Sequence, residues 1–436
     1  MSFRQMYLVY SALLALMLVL SAPYWLFQML RQGKYGRGLA QRLGLVPRRF
    51  EQLRGRAIWI HAVSVGEALA VGELVRALRQ QYPQHPVVIS TTTDTGQKLA
   101  AARFGAESVF YFPLDFAFAA GRWLSALRPV LVVVAETEFW PNFLRLAKRS
   151  GACIAIVNAR VSDRSLRGYL RWRKILRRVL QPVDLFLAQS PEDARRLADI
   201  GAPQGRVFVA GNLKYDVAMA AAPPIVDQLR AALSRSGGAP VLVCGSTVEG
   251  EELLILGAFK NVLASHPAAV MVLAPRHPER FEEVAALLQQ VNVRFWRRSL
   301  WDGDPPRGGV FLLDSIGELS SLYALADIAF VGGSLVPRGG HNIIEPAQHG
   351  VAIVVGNHTE NFRDIVSLFQ SRNAIRIAGP AEFPLTLLEL LANETERKEL
   401  GERAAETLAS QRGATQLTLQ KLSGLLAGQA QQARPA

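Results

Sequence analysis

Cysteine is nearly missing from this chain: 436 residues hold two, Cys153 and Cys244. Each lies in its own apolar run, which suits reduced thiols in a cytosolic compartment and leaves no basis for a disulfide framework or a zinc site. Acidic residues are also few, 36 against 49 Lys and Arg, for a formal charge of +13. Solubility alone does not demand such an excess, so an anionic partner is implied. The usual nucleic-acid signatures are nevertheless lacking: no aromatic RNA-reading strand, no zinc-finger spacing, no basic region leading into heptads. No His-Glu-x-x-His helix, Walker loop or Gly-x-Ser-x-Gly elbow is found either. The 7 histidines are too scattered for a metal cage. Nucleic acid and a metal are therefore not expected, and an anionic lipid or a phosphorylated substrate is.

The chain opens instead with one long uncharged run, Met6 to Leu30. About 20 such residues suffice to cross a bilayer core. A cleaved signal peptide is the rival reading. Its flank before the run carries only Arg4, and Arg31 and Lys34 follow where small residues would mark a cleavage site. Residues 1–33 thus read as a retained anchor, spanning the membrane or, bent at Pro23, embedded in one leaflet. Eight Lys and Arg between Arg31 and Arg56 place the remainder of the chain in the cytoplasm. Tyr7, Tyr10, Tyr24 and Trp25 lie near the ends of the run, where interfacial aromatics belong.

With half its residues apolar and 19% charged, the rest of the chain can pack into two lobes. Short β-branched runs alternate with helical patterns. In the first half they are Ala57–Ala62, Pro86–Thr91, Ser108–Phe112, Pro129–Ala135, Ala152–Asn158, Asp184–Ala188 and Arg206–Ala210. In the second they are Pro240–Cys244, Ala268–Leu273, Val293–Trp296, Gly309–Leu313, Asp327–Val331 and Val351–Val355. Continuous apolar strands between helices imply parallel sheets buried on both faces. The expected fold class is therefore α/β with two Rossmann-like doubly wound domains, over 34–216 and 225–428, joined by a linker from Asp216 to Ile225. Gly428 to Ala436 read as a frayed tail. In such sheets ligands bind beyond the carboxyl ends of the strands, here expected in a cleft between the lobes.

Several strand-end segments carry candidate chemistry. In His61-Ala-Val-Ser64-Val-Gly66-Glu67, Ser64 and Glu67 have the spacing of a capping box. Gly66 would also let a substrate approach, and a carboxylate kept ionised by the helix start could accept a sugar hydroxyl's proton. Glu136-Thr-Glu138-Phe-Trp140-Pro-Asn142 sets two carboxylates after a buried strand, a costly placement unless they are solvated, paired or used. In Gly211-Asn-Leu-Lys214, the lysine could neutralise a sugar carboxylate or a leaving phosphate, or be an ordinary surface residue.

The second half offers Gly245-Ser246-Thr247 with Glu249 to Glu252, Pro275-Arg276-His277, Asp314-Ser-Ile316-Gly317-Glu318-Leu319, and Val331-Gly332-Gly333-Ser334 followed by Arg338-Gly-Gly-His341-Asn342-Ile343-Ile344-Glu345. Arg276 suits a phosphate through its planar fork. Glycines before a helix would expose amides to an anion, and Glu345 could accept from both hydroxyls of a ribose. Asp302-Gly-Asp304 has a metal-binding spacing but sits in a Pro/Gly loop, where an ordinary turn is the better reading. Between Arg164 and Arg178 seven Lys and Arg interleave with Leu170, Trp172, Ile175 and Leu176, either a solvated basic face or a contact for anionic lipid.

The ordered set of Ser64-Val-Gly-Glu67, Glu136-Thr-Glu138-Phe-Trp-Pro-Asn142, Asn158-Ala-Arg160, Gly211-Asn-Leu-Lys214, Pro275-Arg276-His277 and Gly339-Gly-His-Asn342-Ile-Ile-Glu345-Pro, behind an anchor, resembles the 3-deoxy-D-manno-octulosonic acid (Kdo) transferases of Gram-negative lipopolysaccharide synthesis. The resemblance covers nearly the whole chain. It implies a GT-B fold, CMP-Kdo as donor, the lipid A precursor as acceptor and an inner-membrane location facing the cytoplasm. It further implies Glu67 as the base, inversion at the anomeric carbon, and Glu138, Glu136 and Lys214 as groups steadying the transition state. Pro275, Arg276, Ile316 to Leu319 and Asn342 to Glu345 match the CMP-contacting segments, Ser64 and Gly66 lie on the acceptor side, and no metal or protein partner is implied. Two rivals remain: a GT-B-shaped nucleotide-sugar 2-epimerase, and a non-catalytic protein that binds anionic lipid through its basic patches.

Overall fold

The computed structural model describes residues 3–32, 38–216, 223–235 and 237–432. These fall into two compact units, one of Met1–Val217 with Gln411–Ala436 and one of Ala218–Ser410.

The first unit is built on strands β1 (Ile58–His61), β2 (Val87–Thr91), β3 (Val109–Tyr111), β4 (Leu131–Ala135), β5 (Cys153–Ala159), β6 (Leu185–Ala188) and β7 (Val207–Val209). They form one sheet in the order β3-β2-β1-β4-β5-β6-β7, parallel at each pairing. The sequence demands this arrangement. Ile58-Trp59-Ile60-His61 and Leu131-Val-Val-Val-Ala135 are buried along their whole length, and only a sheet covered on both faces can bury such strands. Under one face Trp59, Phe110, Trp123 and Phe143 interlock, with Phe110 stacked on Trp123 at 4.0 Å and Phe143 edge-on to Trp59 at 4.9 Å. Each such ring contributes roughly 1.5–3 kcal/mol by leaving water. Phe143 thereby fixes the helix Pro141–Arg149, and with it the loop after β4.

The second unit repeats the plan with β8 (Val241–Thr247), β9 (Val270–Pro275), β10 (Phe295–Arg297), β11 (Gly309–Leu312), β12 (Ile328–Val331), β13 (Ala352–Val355) and β14 (Arg376–Ile377). Their order is β10-β11-β9-β8-β12-β13-β14. All of the expected strands form with slightly shifted ends. Only β14 was not anticipated, because two exposed residues at a sheet edge leave no apolar run to read. In each sheet the strand order reverses beside the first strand, at β1/β4 and at β8/β12, and such switch points are where open α/β sheets take ligands.

Three boundaries differ from expectation. The carboxyl-terminal region leaves the second unit after Ser410 instead of continuing in it to 428. The helix Ala414–Gln432 packs against the helix Gly72–Gln81 and β5, burying Leu422 and Leu426 among Leu74, Val133 and Val157. Its start is held by Asp216, whose carboxylate accepts the Gly413 N–H at 2.8 Å and the Thr415 N–H. Asp216 thus caps a helix and does not begin a loose linker. The expected frayed tail is helical as far as Gln432, while residues 433–436, like most of the linker at 217–222, lie outside the described residues. Apart from these, the basic segment folds as two helices, Asp163–Arg171 and Arg173–Leu180, broken at Trp172.

The anchor run forms the helix Phe3–Gln32, continuous through Pro23. Its stretch Gln5–Tyr24 has a mean hydropathy of 1.9, long and apolar enough to cross a membrane. Lys34 and the side chain of Trp25 lie outside the described residues.

Candidate functional site

In the first unit the site is assembled at the ends of β1 and β4. Ser64 caps the helix Val65–Ala70 from an extended conformation. Its hydroxyl accepts the Glu67 N–H at 3.4 Å and donates to Glu67 Oε1 at 2.9 Å, while the Val63 N–H donates to Oε2 at 2.8 Å. The capping box is therefore real. It also aims a buried carboxylate at the switch point. The expectation that the helix start would hold this group ionised is overturned: burial pushes the Glu67 carboxyl from 4.5 up to about 7. The Val63 N–H and the Ser64 hydroxyl oppose the rise, and the negative charges of Glu136 and Glu138 add to it. A carboxyl poised near neutrality can take a proton more readily than one locked in its ionised form.

Glu136 leaves β4 in the left-handed region at φ 57°, a conformation that costs a non-glycine residue about 1–2 kcal/mol. It is imposed from both sides. The Glu136 N–H stays in the ladder, on Val157 O at 2.8 Å, and the carboxylate turns to Lys214 Nζ at 3.2 Å. Both side chains are about one-third exposed, so the pair is worth on the order of 0–1 kcal/mol and serves position more than stability. Lys214 sits on the single turn Leu213–Tyr215, where Asn212 Oδ1 accepts the Lys214 N–H and Asn158 Oδ1 accepts the Leu213 N–H, each at 3.0 Å. The Glu138 carboxyl is also pushed up, by burial and then by Glu136. The three carboxylates of Glu67, Glu136 and Glu138 and the ammonium of Lys214 thus converge on one strand-end region.

Two neighbours were not among the expected site residues. Asn158, buried and also left-handed at φ 54°, spends its oxygen on Leu213 and leaves Nδ2 with no hydrogen-bond partner among the described residues. Trp140 Nε1 is in the same condition. An asparagine at the end of an apolar strand was the available signal for the first. A buried donor left without a partner is costly and asks for a ligand or water.

In the second unit Arg276 follows β9, exposed, its N–H tied to Thr247 O at 2.9 Å. Its charge reaches two partly buried neighbours. The His341 ring is lowered to about 4, by burial first and then by Arg276 and His277. The Glu345 carboxyl is raised by burial, against Arg276 and an Asn342 hydrogen bond. Glu345 lies in the first turn of the short helix Ile344–Gln348. Ile343 and Ile344 are fully buried, so they can offer a ligand backbone groups only, and Pro275 is buried as well. Gly245, two residues before the end of β8, lies against Tyr323, whose hydroxyl would be 2.0 Å from a Cβ there, so any side chain would have to displace that buried ring.

The loop Ile316-Gly317-Glu318-Leu319 projects Ile316, 77% exposed, with Gly317 at φ 90°. Glu318 is committed to Arg298, at 3.0 and 2.9 Å, and to the Ser315 hydroxyl. Asp314 is likewise taken, by Arg297 at 2.8 Å and by Ser299. Asp302 accepts the Asp304 N–H at 3.1 Å, an ordinary turn.

The expectation that Gly332-Gly333-Ser334 presents free amides to an anion does not hold. Glu251, fully buried just before the helix Glu252–Ser265, occupies them: it accepts the N–H of Gly333 at 2.7 Å, Leu335 at 2.8 Å, Ser334 at 2.9 Å and Val248 at 3.2 Å. Burial still pushes its carboxyl upward against these four bonds. The acidic run at 249–252 was visible in the sequence, but not which loop it would face. Among the described residues no three His, Cys, Asp or Glu side chains group as metal ligands would.

Comparison with known proteins bears on both units. The family described as 3-deoxy-D-manno-octulosonic-acid transferase (kdotransferase) matches residues 37–217. The 3-deoxy-D-manno-octulosonic acid transferase of Haemophilus influenzae is 37% identical over 376 residues, covering 85% of this chain and 87% of that protein. That of Bordetella pertussis is 38% identical over 400 residues, covering 87% and 91%. Among solved structures, the UDP-GlcNAc 2-epimerase of Neisseria meningitidis bound to UDP-GlcNAc aligns at TM-score 0.52 with 12% identity, over 84% of this chain and all of that one, a likeness of GT-B fold alone.

Proposed function

Because the chain belongs to the Kdo transferase family and so serves Kdo transfer in lipopolysaccharide synthesis, we propose a specific reaction: inverting transfer of Kdo from CMP-Kdo to a glucosamine hydroxyl of the lipid A precursor (lipid IVA) at the cytoplasmic face of the inner membrane. The observation that carries it is the buried Glu67 carboxyl, brought near neutrality beside Glu136 and Glu138. A hydroxyl must lose its proton as it attacks, and a group titrating near the working pH does this best. In the step, the acceptor oxygen bonds to the anomeric carbon, the bond from that carbon to the CMP phosphate oxygen breaks, and its electron pair leaves with CMP. The hydroxyl proton goes to Glu67. Attack from the face opposite the leaving group inverts the centre.

Lys214, steered by Glu136, supplies positive charge for the Kdo carboxylate, and Glu138 lies where it can orient the acceptor or stabilise positive charge developing at the anomeric carbon. The Asn158 amide is available to hydrogen-bond a sugar oxygen. On the donor side Arg276 answers the single phosphate of CMP with its planar fork, and Glu345 with Asn342 suits the ribose hydroxyls. Glu251 already fills the Gly-Gly-Ser loop, so the phosphate falls to Arg276 and not to that loop. No metal is called for, since one phosphodiester charge is met by one guanidinium.

An epimerase shares the fold, but the fold likeness at 12% identity carries no chemistry. The purified protein, given CMP-Kdo, is expected to release CMP only when lipid IVA is present, with a Kdo-bearing lipid seen by mass spectrometry. Release without lipid, or none with it, would overturn the proposal. The masses also count the Kdo residues added.

A further inference from the structure

The helix Phe3–Gln32 does not stand free of the first unit. Met6 and Tyr7 are buried in that unit's core, and the Arg145 guanidinium lies over the Tyr7 ring at 4.5 Å. The Tyr10 hydroxyl is hydrogen-bonded to Asp115. Ser11 Oγ accepts from Asn142 Nδ2 at 3.1 Å. Asp115 in turn holds the start of the helix Pro141–Arg149 through the N–H of Asn142 at 3.0 Å and of Phe143 at 2.7 Å. The chain is fastened to the same unit again just after the anchor: Trp123 Nε1 donates to Gln41 O at 2.9 Å, the Tyr111 N–H donates to Gln41 Oε1 at 2.8 Å, and Gly38 lies against the Tyr111 ring.

These two attachments decide the membrane topology. A crossing that began at Ser11 would run about 32 Å along the helix to Gln32, leaving Gln32 across a hydrocarbon core about 30 Å thick. The chain from Gln32 to Gly38 can reach back at most about 22 Å. A crossing in the other sense would draw Asp115, Asn142 and Arg145 deep into hydrocarbon with the docked residues, at several kcal/mol for each charge. We therefore propose that the anchor is monotopic: the amino terminus stays on the side of the catalytic units, and the exposed apolar side chains from Leu13 to Leu20 enter one leaflet without crossing it. Every position from Ala15 to Leu20 is exposed, so this stretch is apolar all round and belongs beneath the headgroups, not half out of them. The occupant of the face is a lipid bilayer. The anionic character of that bilayer follows from the basic helix Asp163–Arg171, whose Tyr169 packs on Phe139 at 5.8 Å, three residues from Asn142. The docked anchor, the acidic loop after β4 and the basic helix thus adjoin one another in the first unit.

The test uses the full chain with an epitope tag ahead of Met1, in inside-out and right-side-out cytoplasmic-membrane vesicles treated with protease. The tag and the catalytic units are expected to be cut in the same vesicle orientation. Cutting of the tag in one orientation and of the units in the other would overturn the proposal. A Tyr10→Phe, Ser11→Ala variant is expected to raise hydrogen exchange in residues 141–146 several-fold in detergent, while in the vesicles its tag keeps its side. Unchanged exchange there would reject the docking contact. Neither readout depends on transfer, so both are independent of the proposed reaction.

Discussion

At Glu67 the helix cap and the proposed base are one carboxylate, so a single substitution tests both. Glu67→Gln keeps the size and most of the cap. It is expected to lower transfer about 10²–10⁴-fold with CMP binding intact; near-normal turnover would leave Glu67 a cap only. The pH dependence follows from the raised value. The rate should climb as Glu67 loses its proton through about pH 7, and this limb should vanish in the variant. Stability runs the other way. A carboxyl whose folded value lies above its unfolded 4.5 binds more protons when folded, so the wild type loses stability as pH rises from about 4.5 to 7. The loss is on the order of 3 kcal/mol relative to the Gln variant, measurable by denaturant unfolding across that range. Glu251 makes the contrasting case. Among the described residues its carboxylate accepts four amides of its own unit, and Glu251→Ala would leave these buried N–H groups unsatisfied. Its expected cost is about 3–5 kcal/mol, read as a lower thermal midpoint.

Among the elements, the carboxyl-terminal helix is the one whose place could not be read from its own residues. Leu422 and Leu426 state that a face must be buried, but either unit could have supplied the partner. Asp216 decides locally by capping its start. Asp216→Ala is expected to cost about 0.5–2 kcal/mol, the usual worth of a helix cap, and to raise proteolysis after Ser410. An unchanged cleavage rate would mean that packing alone holds the helix. The parallel strands other than β14, by contrast, were legible, because burial on both faces writes itself into a run such as Leu131–Ala135. The basic segment was legible as basic and not as two helices. Trp172, 60% exposed at the break, leaves the periodicity nearly undisturbed.

For the whole molecule the excess of positive charge should appear as salt-sensitive binding to anionic vesicles. Replacing exposed Arg164, Arg167 and Arg171 by Gln is expected to weaken that binding by about 1 kcal/mol per charge at low salt and by less at high salt. Equal binding by variant and parent would assign the lipid contact to the apolar helix alone. The sequence by itself determined the two parallel sheets, the apolar anchor and the strand-end segments that carry the chemistry, since period, burial and motif spacing are local properties of a chain. Only the tertiary structure decided that Glu251 fills the Gly-Gly-Ser loop, that burial lifts Glu67 to near neutrality, that the last helix returns to the first unit, and that Tyr10 and Ser11 bind back to Asp115 and Asn142. Each of these depends on which groups distant in the chain come to share a low-dielectric interior, and no local pattern encodes that.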